Sequence, residues 1–243
     1  SSIGLVQAAD TPIVSTGGVA YNIGVSGNSK FTYSDNVTLG GDAGTTNGNP
    51  YQNSNDPNAK GNNIAIGRIS LNGSSGGANV ALGSKTFLNG KGDYNFLGNF
   101  AAGFNSTISN TIAIGSFAGS GATGNKNVWL GTGQAGGSTG NNTVLIGSNS
   151  TVDGNFNYGI GHNAVLKGES NAVVGAYNHV TANNTYVLGD HVDTTLNNAV
   201  VLGSHSTAES SDVVNTPSYT YAGGTVNFAG TAPVSTVSVG ATG

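Results

Sequence analysis

The chain has 243 residues, of which 7% are charged, 36% are hydrophobic and 41 are glycine, with a net charge of -4 and no cysteine. Seven Lys and Arg in the whole chain argue against a nucleic-acid surface, which needs clustered basic groups to neutralise phosphates, and without cysteine neither a disulfide nor a thiolate metal site can form. Disorder needs low hydrophobicity together with high net charge, so this weakly charged chain with periodic apolar residues reads as folded.

Residues 1–30 read as a lead-in holding at most a first coil. They lack a basic segment followed by a long apolar core, so any signal peptide is expected to have been removed. No run of the chain approaches the ~18 apolar residues of a membrane span. Gly24 and Gly40 each close a short apolar run. Residues 41–63 then interrupt the pattern with Pro50 and Pro57, and read as an insertion loop. Its one aromatic, Tyr51, with Asn47, Gln52, Asn53 and Asn55, makes it a candidate ligand-binding loop for a polar glycan or a protein.

From there the apolar runs end on a ladder of glycines: Gly67, Gly83, Gly98, Gly115, Gly131, Gly147, Gly161, Gly175, Gly189 and Gly203. The steps are 16, 15, 17, 16, 16, 14, 14, 14 and 14 residues. A fixed period of this kind signals stacked repeats, each too small to bury its own apolar face. One and three residues before each glycine stand pairs such as Ile64/Ile66, Ile112/Ile114, Val144/Ile146 and Val200/Leu202. Three and five residues after it stand weaker pairs such as Thr86/Leu88, Ser150/Val152, Ala164/Leu166, Asn178/Val180 and Ser206/Ala208. Alternate side chains of a strand share a face, so each coil is expected to hold two short strands joined by tight corners. Glycine and asparagine would supply the positive φ those corners need. The fold class expected is all-β, a two-sided solenoid of parallel sheets.

If the residues one and three before the glycine fill the coil, the residue two before it points outward. That stripe is Ala65, Ala81, Phe96, Ala113, Trp129, Leu145, Val173, Val187 and Val201. An apolar stripe on the outside of one sheet implies a cover, and a second copy of the chain is the expected one. These nine residues are therefore expected to line a homo-oligomer interface, Trp129 included. Beyond residue 210 the period stops. "SYTYAGGTVNFAG" reads as a hairpin across Gly223–Gly224, and "APVSTVSVGATG" alternates like a strand.

The repeats resemble the head domains of trimeric autotransporter adhesins of Gram-negative bacteria, the YadA-like head, whose repeat reads Asn-Ser-Val-Ala-Ile-Gly-x-x-Ser. Asn110-Thr111-Ile112-Ala113-Ile114-Gly115 is similar to it, as are Asn142 to Gly147 with Ser150 and Asn198 to Gly203 with Ser206. The resemblance covers residues 60–208 well and 20–60 loosely. It implies a left-handed parallel β-roll over 31–210, three chains about a threefold axis, and a non-enzymatic role in attachment to host cells, extracellular matrix or other bacteria. It also implies display on the bacterial surface as the passenger of an outer-membrane autotransporter, with 211–243 leading to a neck. The chain departs from the family pattern in the irregular steps between Gly67 and Gly147, the 41–63 insertion and the 211–235 segment.

Chemistry-bearing constellations are few. His191 and His205 each follow a ladder glycine by two residues, so they are expected one rung apart, with Asp190 and Asp193 nearby. A metal site is conceivable there, but an exposed polar corner is the expectation, and neither metal nor cofactor is assigned. His162 and His179 fall at other offsets. "GSSGG" (73–77) and "GTGQAGG" (131–137) lack the Lys-Ser/Thr ending of a phosphate loop and read as corners. No Ser/His/Asp arrangement stands out, so catalysis is not expected. A hexapeptide acyltransferase would show a six-residue period. An ice-binding solenoid, the alternative reading beside a structural surface-layer role, would show an outward threonine ladder, and Thr181, Thr194, Thr195 and Thr207 are too scattered for one.

Overall fold

A computed structural model describes residues 23–25, 36–44, 62–230 and 232–241. These residues are all-β apart from a three-residue 3-10 turn at Ser210–Asp212, and their parallel strands stack into a β-solenoid. The long sheet has 13 strands, most of only three residues, running from Ile23–Val25 and Val37–Leu39 through Ile64–Ile66, Val80–Leu82, Phe96–Gly98, Ile112–Ile114, Val128–Leu130, Val144–Ser148, Tyr158–His162, Ala172–Ala176 and Tyr186–Leu188 to Ala199–Leu202 and Thr236–Val239. The opposite side is less regular. Thr107–Ser109 pairs with Thr123–Asn125, while Thr151–Asp153, Val165–Lys167, His179–Thr181 and Asp193–Thr194 form a four-stranded sheet.

Strand register makes the period more regular than the glycines suggest. Val80 pairs with Phe96 and Ala81 with Leu97, so Asn99, not Gly98, stands at the ladder position of its coil. Its N–H donates to Leu82 O at 2.8 Å, as that of Gly83 does to Ile66 O at 2.7 Å. Asn99 has φ 86, a region asparagine tolerates better than most residues. Counted through Asn99, the steps are 16 residues from Gly67 to Gly147 and 14 from Gly147 to Gly203.

The ladder glycines are required twice over. Gly147 has φ +135, and a Cβ on it would collide with the carbonyl oxygen of Gly161 in the next coil. The corners on either side of the long strands are less selective than expected. Positive φ near 50–60° is adopted not only by Asn142, Asn149 and Asn163 but also by Lys85, Phe117, Phe156, Tyr177, His191 and His205. Rung-to-rung hydrogen bonds hold these bulky residues in place, as with Tyr177 N to His162 O at 2.8 Å and His191 N to Ala176 O at 3.0 Å.

The facing of the long sheet is the reverse of the expectation. Ala65, Ala81, Ala113, Trp129, Leu145, Val173, Val187 and Val201 lie inside the coil, none more than 4% exposed in the single chain. They cannot line an interface between chains. Phe96 is the exception, 42% exposed, because the one-residue shift puts Leu97 in the interior position of its coil. The physical reason is the narrowness of the coil. Alanine fits where the two sides approach closely, and larger residues are accommodated by missing side chains opposite or beside them. Gly119, where a Cβ would stand 2.8 Å from the indole, makes room for Trp129, and Gly159, the neighbour of Leu145 on the next strand of the same sheet, makes room for Leu145.

A polar ladder shares this inner face. Asn63, Asn79, Asn95, Thr111, Asn127, Thr143, Asn157, Asn171 and Thr185 are all buried, two residues before the interior apolar position. The asparagine side-chain oxygens accept from the backbone of the next coil: Asn79 Oδ1 from Asn95 N at 3.0 Å, Asn95 Oδ1 from Thr111 N at 3.1 Å, Asn157 Oδ1 from Asn171 N at 3.0 Å. The amide groups donate across the coil, Asn95 Nδ2 to Ile108 O at 2.8 Å and Asn127 Nδ2 to Gly140 O at 2.9 Å. Trp129 joins through Nε1, donating to Thr143 Oγ1 at 3.0 Å. Buried amides are stable only when so satisfied, and one per coil replaces the apolar width a fatter solenoid would need.

The hairpin falls close to its expected place, with Ser218–Tyr221 antiparallel to Gly224–Asn227 and Ala222–Gly223 as the turn. The strand Thr236–Val239 then returns to the long sheet beside Ala199–Leu202, pairing Val200 with Val237 and Leu202 with Val239.

Candidate functional site

Reversing the long sheet moves the apolar stripe rather than removing it. The residues one and three before the ladder position now stand outside, as two parallel columns of branched and aromatic side chains. Ile66, Phe96, Ile112, Ile114, Ile146, Tyr158, Ile160, Val174, Tyr186 and Leu188 are each 38–58% exposed. Ile64, Val80, Leu82, Val128, Leu130, Val144, Val200 and Leu202 fill the gaps, half-buried by their neighbours above and below. A shallow groove in this face is lined by Val80, Tyr94, Phe96 and Ile112. Such a continuous apolar face is unusual on a solitary soluble chain.

The columns persist across the chain's main interruption. Val237 and Val239, 65% and 75% exposed, continue the outer columns of Val200 and Leu202, while Ser238 takes the inner position beside Val201. Ser238 Oγ donates to Thr207 O, and Gly240 N donates to Ser206 Oγ at 2.9 Å, tying the strand to the last full coil. A 33-residue excursion between Leu202 and Thr236 has left the facing of the stripe unchanged.

One corner gathers ionisable side chains, where His191 and His205 are one rung apart as the spacing predicts. Their rings stack at 4.8 Å with 4° between planes, and Tyr177 stacks on the other side of His191 at 4.9 Å. His162 meets the edge of Tyr177 at 5.4 Å. Asp190 Oδ2 lies 2.8 Å from His191 Nδ1, and Ser204 Oγ lies 2.7 Å from His205 Nδ1. Hydrogen bonds from His191 and then Ser204 hold the Asp190 carboxyl below the usual value for an aspartate. Asp193 belongs elsewhere, 3.7 Å from His179 Nδ1. Sequence spacing foresaw the pairing of the two imidazoles; Tyr177, two residues after Gly175, stands at the same offset one coil earlier, a signal that was missed.

Other candidates are placed as follows. Trp129 is wholly interior and available to no ligand. Gly73, Gly76, Gly131, Gly133 and Gly137 have positive φ, as the corner reading of both glycine-rich stretches requires. Asn47, Tyr51, Gln52, Asn53 and Asn55 lie outside the described residues. A second groove, lined by Asn125, Lys126, Asn141, Asn142, Asn155 and Phe156, was not singled out from sequence. Its asparagines largely satisfy one another: Asn155 Oδ1 accepts from both Asn141 N and Asn141 Nδ2 at 3.0 Å.

Comparison with known proteins gives no matching family model, and no curated protein aligns significantly with the chain. Among the described residues no helix is long and apolar enough to cross a membrane, which says nothing of β-barrels.

Proposed function

We propose that the chain is the head of a trimeric autotransporter adhesin: a left-handed β-roll, three copies of which pack through the outer apolar columns of their long sheets. The observation that carries this reading is the double apolar column from Ile64 to Val239, interrupted at Gly98 and narrowed at Ala172, on a parallel sheet whose outer face is left exposed among the described residues. Parallel sheets are ordinarily buried on both faces. A threefold arrangement lets each chain cover its neighbours without leaving an apolar edge, and the repeat Asn110 to Gly115 resembles that of the family. The head would be displayed on the surface of a Gram-negative cell as an autotransporter passenger and would hold host protein, glycan or another bacterium without catalysis.

The competing ice-binding reading gains one observation. Thr107, Thr123 and Thr139 are exposed on successive rungs of the opposite side. Lys91 precedes them and Asp153 follows in the same ladder, which breaks the flat threonine array such a surface needs.

The test is adhesion of beads coated with the chain to epithelial cells and to a panel of matrix proteins and glycans. A variant with Ile146→Asp and Leu188→Asp is run beside it, together with thermal hysteresis of the free protein. Adhesion that falls with loss of the trimer, through loss of avidity, and no hysteresis is expected. Hysteresis without adhesion would reject the adhesin reading, as would hydrolase or transferase turnover abolished by replacing His191 or His205.

A further inference from the structure

We infer that the corner formed by His191 and His205 is a surface site for a borderline-soft divalent ion such as Zn2+, with both imidazoles as ligands through Nε2. The first support is the hydrogen bond that fixes the His191 tautomer, with a second contact at the matching nitrogen of His205. Asp190 can only accept, so His191 Nδ1 carries the proton of their 2.8 Å contact. Ser204 Oγ lies 2.7 Å from His205 Nδ1 and accepts when that nitrogen carries the proton. His191 therefore keeps the lone pair on Nε2 free, and His205 does so in its Nδ1–H tautomer. A carboxylate behind the Nδ1–H of a ligating histidine is the usual outer support of an imidazole–metal bond.

The second support is spacing. His205 N donates to Asp190 O at 2.8 Å and His191 N to Ala176 O at 3.0 Å, so the ladder pins both histidine backbones one rung apart in the same left-handed conformation, φ 53 and 55. Ligand atoms drawn one each from Asp190, His191 and His205 lie within 4.8 Å of one another. An ion about 2.0–2.1 Å from each nitrogen needs the two rings only to tilt toward each other. The solvent side leaves room for it, since the His191 side chain is 49% exposed and His205 is exposed as well. Tyr177 closes the stack on one side.

The donor set selects the ion. Two neutral imidazoles suit Zn2+, Ni2+ or Cu2+ and not Ca2+ or Mg2+, which take oxygen ligands. Two protein ligands leave coordination positions open to water or to a donor from another molecule. The adhesin reading assigns this corner no role, and the site stands or falls without it.

Isothermal titration of the whole chain with Zn2+, in a buffer that does not chelate, tests the assignment. Asparagine stands at the equivalent corner of two preceding coils, at Asn149 and Asn163 with φ 53 and 51, so His191→Asn and His205→Asn keep a conformation the fold already uses. The expected result is saturable uptake of one Zn2+ per chain, lost in either variant and unchanged when His162 and His179 are both replaced by Asn. Asp190→Asn should weaken binding about 10-fold and shift the imidazole 15N resonances of His191 away from the Nδ1–H tautomer, a change mere loss of structure would not give. No saturable uptake by the wild type, or uptake retained in the His191→Asn, His205→Asn double variant, would overturn the site.

Discussion

Leu145 and Ile146 are consecutive residues with opposite surroundings: the first is completely buried inside the coil, the second 38% exposed on its outer face. Truncating them should therefore act on different equilibria. Leu145→Ala removes interior packing and should lower the stability of each chain by about 2–5 kcal/mol. Ile146→Ala should leave the coil's own stability within about 0.5 kcal/mol while weakening assembly. Urea unfolding at low protein concentration, set beside oligomer dissociation, separates the two effects.

Gly147→Ala should be among the most damaging single-methyl additions in the molecule. The residue sits at φ +135 with the Gly161 carbonyl in the way, so the next coil must move. A cost of about 3 kcal/mol or more is expected. Gly137→Ala is the control: at φ +65 with nothing within 4 Å of the new methyl, it should cost only about 1–2 kcal/mol. Melting temperatures of the two variants check the order.

Asn95→Ala strips the polar ladder at one rung. Thr111 N and Ile108 O lose their side-chain partner in the interior, and groups left unsatisfied there cost about 1–3 kcal/mol each. A loss of about 2–4 kcal/mol is expected, with faster amide hydrogen exchange at Thr111 as the local signature. Asn95→Asp should not rescue it, because the contact to Ile108 O requires a donor.

Ser170→Gly should stabilise. Ser170 is a corner residue at φ 60, and relief of the left-handed conformation is worth about 1–2 kcal/mol against the 0.5–1 kcal/mol that glycine's freedom costs in the unfolded chain. A small rise in melting temperature is the expected outcome.

The solenoid was legible in the sequence because its cause is repetitive. A glycine that meets the backbone of the next ladder position at nearly every coil leaves a period visible in the sequence. The facing of the sheet was not legible, because Val144, Leu145 and Ile146 are all apolar and hydrophobicity alone cannot choose among them. The residue before them gives no help. Thr143, like Asn95 and Asn171, is polar, and a polar residue two before Leu145 argues that their shared face is wet. It is dry because each such side chain bonds to the coils beside it, a satisfaction visible only in three dimensions. The alanines at 65, 81 and 113 were the usable clue: small residues fit a narrow interior, and large branched ones flank them. Asn99 shows a second limit. The ladder position there is held by a residue that tolerates positive φ, next to a glycine that does not occupy it.

The proposed trimer requires the outer columns of the long sheet to bury one another between three copies. Sedimentation equilibrium of the chain at micromolar concentration tests it most directly, with a variant carrying Ile114→Asp, Ile146→Asp and Leu188→Asp run alongside. Three times the chain mass of 24.0 kDa is expected for the wild type. The variant should run as a monomer that keeps its β circular-dichroism signature, since each buried aliphatic residue lost from the interface forfeits about 1.5–3 kcal/mol. A wild-type chain that sediments as a stable, folded monomer would contradict it.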